Sequence, residues 1–190
     1  MPIWGKKNLF SIAYRPVDKK IGKLKMFVDG VDILQYKING VDKDYTGDVF
    51  TIADWLDDNL KYILIEHPCP VEVVGNSGIE KYNNCFFLPD EIIEKRIDII
   101  QEWGFQRDWI VVRGGSFLAE VFFRKVDDFI EISWDNRNTY SKYGVVFNCP
   151  TGNKLISEEL FVGVIIRFIR AIKTLGTSDS SLPKDAQKNV

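Results

Sequence analysis

Apolar and charged residues alternate most clearly near the start of the chain. Over residues 24–38, LKMFVDGVDILQYKI, two β-rich runs flank Asp29-Gly30. That dipeptide suits a type I′ turn, in which both central residues take positive φ. The alternation in Lys23-Leu24-Lys25-Met26 fits a sheet with one wet face. The run from Leu9 to Tyr14 supplies a third strand.

The period then changes. In residues 52–65, IADWLDDNLKYILI, the apolar Ile52, Trp55, Leu56, Leu60, Ile63 and Leu64 share a helical face, and Asp54, Asp57, Asp58 and Lys61 take the other. Thr51 or Asp48 is placed to cap the start. Pro68 and Pro70 stop the helix and force an extended segment through Val71–Val74, and Gly75-Asn76-Ser77-Gly78 reads as a loop. A second helix is predicted at 91–103. Asp90 serves as its N-cap, Ile92, Ile93, Ile97, Ile100 and Trp103 form its buried stripe, and Gly104 takes the position after its end. The following WIVVRGG, 109–115, is ambiguous between a short helix and a strand.

Phe117–Arg124 and Phe129–Trp134 read as a second hairpin turning through residues 125–128. A third helix is predicted over 157–175, with Ser157 as cap, Glu158 and Glu159 in its first turn, and Gly176 beyond its end. Residues 177–190 read as a polar tail or linker after one domain, 1–176. Without a βαβ alternation, the order of elements predicts an α+β fold: an antiparallel sheet built from two hairpins, with about three helices packed on it.

Composition narrows the function classes. The 190 residues carry 25 basic and 27 acidic side chains, a formal net charge of −2, which argues against broad nucleic-acid binding because phosphate neutralisation needs a concentrated basic surface. No signal-peptide pattern follows Met1, and the longest apolar stretch, Leu160 to Ile166, is seven residues with a glycine inside. No membrane partner is expected, and the cytoplasm is the expected location. Cys69, Cys85 and Cys149 are odd in number and widely spaced, as reduced thiols would be.

The chain contains no HExxH, no P-loop, no GxGxxG and no GxSxG. His67 and the three cysteines make four candidate zinc ligands, but zinc sites usually present donors in close pairs, and only His67 and Cys69 are close. In a strand those two would project from one face about 6.5 Å apart, too far for direct general-base activation of the thiol. Pro89-Asp90 with Glu94 and Lys95 superficially matches a PD-(D/E)xK nuclease. There the later acid and lysine lie on a strand, whereas here both fall inside a predicted helix. No catalytic residue, metal ligand or cofactor is therefore assigned. Glu120, Glu131 and Asp135 remain the candidates for a carboxylate-based, Mg-dependent hydrolase or nuclease, with Glu131 and Asp135 on one face only if their strand continues past Trp134.

Arginine and large aromatic residues dominate binding hot spots, and they concentrate in two stretches here. Arg107, Trp109, Arg113, Trp134, Arg137 and Tyr140 form the candidate partner-binding patch. The competing expectation is that the tryptophans are core, as for Trp55 and Trp103.

The stretches TIADWLDDNLKYILIE (51–66) and FLAEVFFRKVDDFIEISWDN (117–136), with Trp109 and a later helix carrying Phe168, resemble a region that precedes ImmA/IrrE-type metallopeptidase domains in some large bacterial proteins. The peptidase motif is missing, so no catalytic residue is carried over. The resemblance implies a non-catalytic recognition or regulatory part in a bacterial regulation, prophage or defence setting. The expected function is an interaction module of immunity, regulatory or defence-accessory type that binds another protein. A small-ligand sensor with an apolar pocket between sheet and helices is a further alternative.

Overall fold

A computed structural model describes residues 1–178. Strands β1 (Ile3–Lys6), β2 (Phe10–Pro16), β3 (Ile21–Val28) and β4 (Val31–Asp32) pair antiparallel in that order. Asp29 (φ 50°) and Gly30 (φ 85°) turn β3 into β4 as the dipeptide demands. The hairpin stops early, because the Asp32 carboxylate accepts a bond from Leu34 N–H at 3.2 Å and bends the chain away. Ile33 and Leu34 are thereby buried, and β5 (Tyr36–Ile38) and β6 (Val41–Lys43) join a different, three-stranded sheet. Strand β7 (Thr46–Asp48) returns to pair with the start of β3.

Helix α1 (Val49–Ile63) follows, capped by Asp48, whose carboxylate accepts from Phe50 and Thr51 N–H at 3.0 and 3.1 Å. Its Ile52, Trp55, Leu56 and Ile63 face the core as their spacing predicts.

Residues 78–85 form a helix whose first residue, Gly78, the sequence places in a loop. Helix α2 (Gly78–Cys85) opens with Ser77 Oγ accepting from Glu80 N–H, while Glu80 reaches back to Asn76 N–H at 2.7 Å. This is close to the reciprocal capping of a Ser-x-x-Glu start. Helix α3 (Asp90–Phe105) begins one residue early, so Asp90 lies inside its first turn and Pro89 takes the cap position without a side-chain bond. Gly104 is inside the helix rather than beyond it. A Cβ there would lie 2.3 Å from Tyr82 ring carbons, so the glycine is needed for close packing rather than for termination. Of the expected buried stripe only Ile100 and Trp103 are buried; Ile93 and Ile97 are half-buried and Ile92 is exposed.

Residues 109–112 form a 3-10 turn. Strands β8 (Phe122–Val126) and β9 (Phe129–Asp135) make the second hairpin, which turns through Asp127 at φ 51°. Strand β10 (Val145–Phe147) pairs with β5, and β11 (Thr151–Ser157) pairs with β9, giving a third sheet ordered β11-β9-β8. Ser157 is the last residue of β11 and stands directly before α4, in the cap position that the sequence predicts. Helix α4 (Glu158–Ser178) runs through Gly176, and the expected tail beyond Ser178 lies outside the described residues. The architecture is α+β with antiparallel sheets, and the two hairpins fall in separate sheets.

One core joins most of these elements. Phe161, Val164, Ile165, Phe168 and Ile172 of α4 meet Phe10 and Ile12 of β2, Ile52 and Leu56 of α1, and Phe123, Ile130 and Ile132 of the third sheet. The opposite face of that sheet carries α2 and α3 over a small separate cluster, Ile79, Trp103 and Phe122, bordered by Cys69 and Tyr82. Among the described residues no helix is long and apolar enough to cross a membrane.

Candidate functional site

Strand alternation builds the outer face of the third sheet. Because β9 continues to Asp135, Glu131, Ser133 and Asp135 point the same way, with Asn153 and Thr151 of β11 opposite Ser133 and Asp135. The outer face is polar at its centre, and the polar groups hold α2. Gly78 N–H donates to Glu131 Oε1 at 2.5 Å and Ile79 N–H donates to Ser133 Oγ at 3.2 Å. Two of the amides that a helix start leaves unpaired are satisfied this way. The second Glu131 oxygen takes both Nε (3.2 Å) and Nη2 (2.7 Å) of Arg124. Glu131 is therefore a buried anchor.

Where α2 leaves the sheet, two concavities meet. One, of about 370 Å³, is mainly polar and includes Ser77, Thr151 and Asn153. The other, of about 460 Å³, lies along α2 beside Asn83, Asn84, Phe86 and Phe87. Glu80, Asp135 and Arg137 line both, so the two form one trough. The Arg137 guanidinium grips Asp135 with Nε (2.9 Å) and Nη2 (2.5 Å), and these bonds hold the Asp135 carboxyl below the usual carboxylate range. Phe87 is 84% exposed and Phe86 42%, with Phe86 edge-on to Tyr82. Two consecutive phenylalanines in solvent beside an oriented arginine are the residue types of a binding surface.

The patch expected from the sequence is dispersed. Trp109 is wholly buried, with Nε1 donating to Ala119 O at 2.8 Å, and Trp134 is buried with Nε1 donating to Cys149 O at 3.0 Å. A buried indole needs such an acceptor, and both find one in a backbone carbonyl. Arg107 is also buried, at the ends of α1 and α3. Arg113 and Tyr140 line a different cleft, beside Phe117 and Tyr143, and the Tyr140 hydroxyl donates to Leu118 O at 3.0 Å. Of the six residues only exposed Arg137 contributes a side chain to the trough surface, with buried Trp134 forming part of its wall. Phe86, Phe87 and Glu80 were missed, and the capping pattern Ser77-x-x-Glu80 was the available signal.

The carboxylate candidates also separate. Glu131 belongs to Arg124 and α2. Glu120 instead meets Asp108, which is buried and whose Oδ1 accepts from Ile110 N–H at 2.8 Å. Burial pushes the Asp108 carboxyl well above the ordinary range, and the hydrogen-bonded Glu120 beside it adds to the shift; burial raises Glu120 too. Asn136 clamps the Glu120 backbone, its Oδ1 accepting from Glu120 N–H at 2.8 Å and its Nδ2 donating to Glu120 O at 3.0 Å. Tyr82 and Tyr140 flank this pair electrostatically, and burial pushes each up to about 12. None of the five clefts described around the molecule is lined by Asp108 or Glu120.

The four zinc-ligand candidates do not gather. Cys69 and Cys85 lie 3.4 Å apart, whereas His67 Nδ1 is 3.1 Å from Pro68 O and Cys149 faces Thr151 O. Among the described residues no group of three or more histidine, cysteine or acidic side chains is placed to hold a metal ion. Burial and the Cys69 contact raise the Cys85 thiol to about 12, so it is not a thiolate at neutral pH. No family model, no curated protein and no solved structure matches this chain.

Proposed function

We propose that the protein is an interaction module that docks another protein in the α2 trough. The observation carrying this reading is the adjacent pair Phe86-Phe87, exposed beside the Arg137–Asp135 pair in a concave surface. The trough also carries the carboxylate of Glu80, beside Asp135 and its Arg137 partner. The matching partner presents an apolar side chain flanked by lysine or arginine. A bacterial regulatory or defence role, in the cytoplasm, belongs to the same proposal and draws on the ImmA/IrrE resemblance of residues 51–66 and 117–136.

The test is capture from the native host followed by affinity measurement on the captured protein. Phe87→Asp should weaken binding by about 30-fold or more, as loss of a hot spot does, and Arg113→Ala should leave it unchanged. Binding that survives Phe87→Asp but is lost in Arg113→Ala overturns the trough as the docking face.

A further inference from the structure

The cleft between the end of α1 and the second half of α3 has a different chemistry from the trough. It has a volume of about 460 Å³, and its lining includes Tyr62, Ile65, Ile99, Glu102, Trp103 and Arg107. Apolar and aromatic groups make most of the wall, in the size range of small-molecule pockets. Of its polar members Arg107 is the buried one, 2% exposed.

A guanidinium has five N–H donors and cannot be left uncharged in water. Three bonds hold this one: Nη1 donates to Trp103 O and to Gln106 Oε1, both at 3.3 Å, and Nη2 donates to Tyr62 O at 3.1 Å. Two of these acceptors are carbonyls of the last turns of α3 and α1, where a cation is favoured. None of the three is an anion. Among the described residues no ion pair joins Arg107 to a carboxylate, and its buried Nε has no acceptor. Its Cζ lies over the Trp103 ring, 5.7 Å from the centroid. Burial lowers its proton affinity to about 10, which leaves it a cation at neutral pH.

The unused donors are Nε–H and one hydrogen of Nη2. Those two nitrogens make the side-on fork by which arginine takes a carboxylate, as Arg137 does with the two oxygens of Asp135. The geometry points to a binding site for an amphipathic monocarboxylate, its carboxylate on Arg107 and its apolar body against Trp103, Tyr62, Ile65 and Ile99. Glu102 at the rim disfavours a second negative charge on the outer part of the ligand, and its side chain is engaged by Gln106 Nε2 at 3.0 Å.

Calorimetric titration of the full chain with octanoate and 4-phenylbutyrate, against octanol, octylamine and inorganic phosphate, tests the assignment. Both carboxylates should bind at least about tenfold more tightly than any of the three controls. Arg107→Met should erase that preference. Because Arg107 also ties two helix ends, the deciding variant is Ile99→Glu, at the 38% exposed mouth, which keeps the fold and should weaken octanoate by about tenfold or more. Equal binding of octanol, equal binding of phosphate, no carboxylate binding up to about 1 mM, or octanoate binding undisturbed by Ile99→Glu overturns it.

Discussion

The two faces of the β11-β9-β8 sheet are held by different physics. The inner face presents Phe123, Ile130, Ile132, Trp134 and Ile156 to a continuous core, where Phe123 alone meets the rings of Trp55, Trp109 and Phe161. The outer face presents Glu131 and Ser133 to the start of α2, with only Phe122 joining Trp103, Ile79 and Tyr82 in an apolar cluster. Burial of many non-directional contacts gives the inner side its stability. A few directional bonds position the outer side and leave Phe86 and Phe87 after α2, and Ile92, Ile99 and Phe105 of α3, in solvent. The contrast locates global stability and binding surface on opposite sides of one sheet.

Substitutions should separate the faces by size and by reach. Phe123→Ala on the inner face should cost about 3–5 kcal/mol and lower the denaturation midpoint of the whole molecule. If the loss were confined to α2, the division into faces would fail. Glu131→Ala should cost about 3 kcal/mol by stranding the Arg124 cation and the Gly78 amide. Hydrogen exchange should then accelerate first in α2 amides and least in β2 and β3. Gly104→Ala forces a methyl into the Tyr82 ring and should cost about 1–3 kcal/mol, again with exchange rising in α2 and α3 before β2.

Glu120→Gln probes the acid pair. Raised proton affinity in the folded state means that the native chain retains a proton the unfolded chain releases. The pair's contribution to stability should therefore be fully present below the ordinary carboxyl range, about pH 4, and be lost as pH rises through its raised values, whereas Asp44 and Asp135, held low, lose theirs as pH falls. Denaturant titrations across that range should show the decline reduced in Glu120→Gln; a parallel decline would mean that the pair is not what titrates. Smallest of all, Phe87→Asp should shift stability by less than about 0.5 kcal/mol, since its ring contributes to surface rather than core. A large drop in midpoint would show that the outer face is structural after all.

Long periodic segments were legible because the core reads them directly. The apolar spacing of α1 and α4 matches their buried faces, and Asp29-Gly30 turns as its chemistry requires. Three features were hidden for physical reasons. Helix α2 is only eight residues and relies on Glu131, 53 positions away, to satisfy its first amide. Strand β11, TGNKLIS, has a largely polar alternation because α2 covers only part of the sheet face to which it belongs. Trp109 follows Asp108 and looks exposed by its neighbours, yet both are buried, the indole bonded to Ala119 O and the carboxyl to Ile110 N–H. The expected arginine–aromatic surface failed because hydrogen bonding to distant carbonyls, not local polarity, decided which of its members went inside.

The dependence of the core on α4 also has a consequence in time. Phe10 stacks on Phe161 with ring centroids 5.5 Å apart, although the two are about 150 residues apart in sequence. At translation rates of roughly 5–20 residues per second, β2 waits about 8–30 s for its main packing partner to be synthesised. During that interval Phe10, Ile12 and later Phe123 belong to a nascent chain whose apolar surfaces have no α4 to cover them. The interior can close only after α4 has been made, so the speed of the ribosome, as much as the free energy of the folded molecule, governs how long this sequence is open to aggregation and to chaperones.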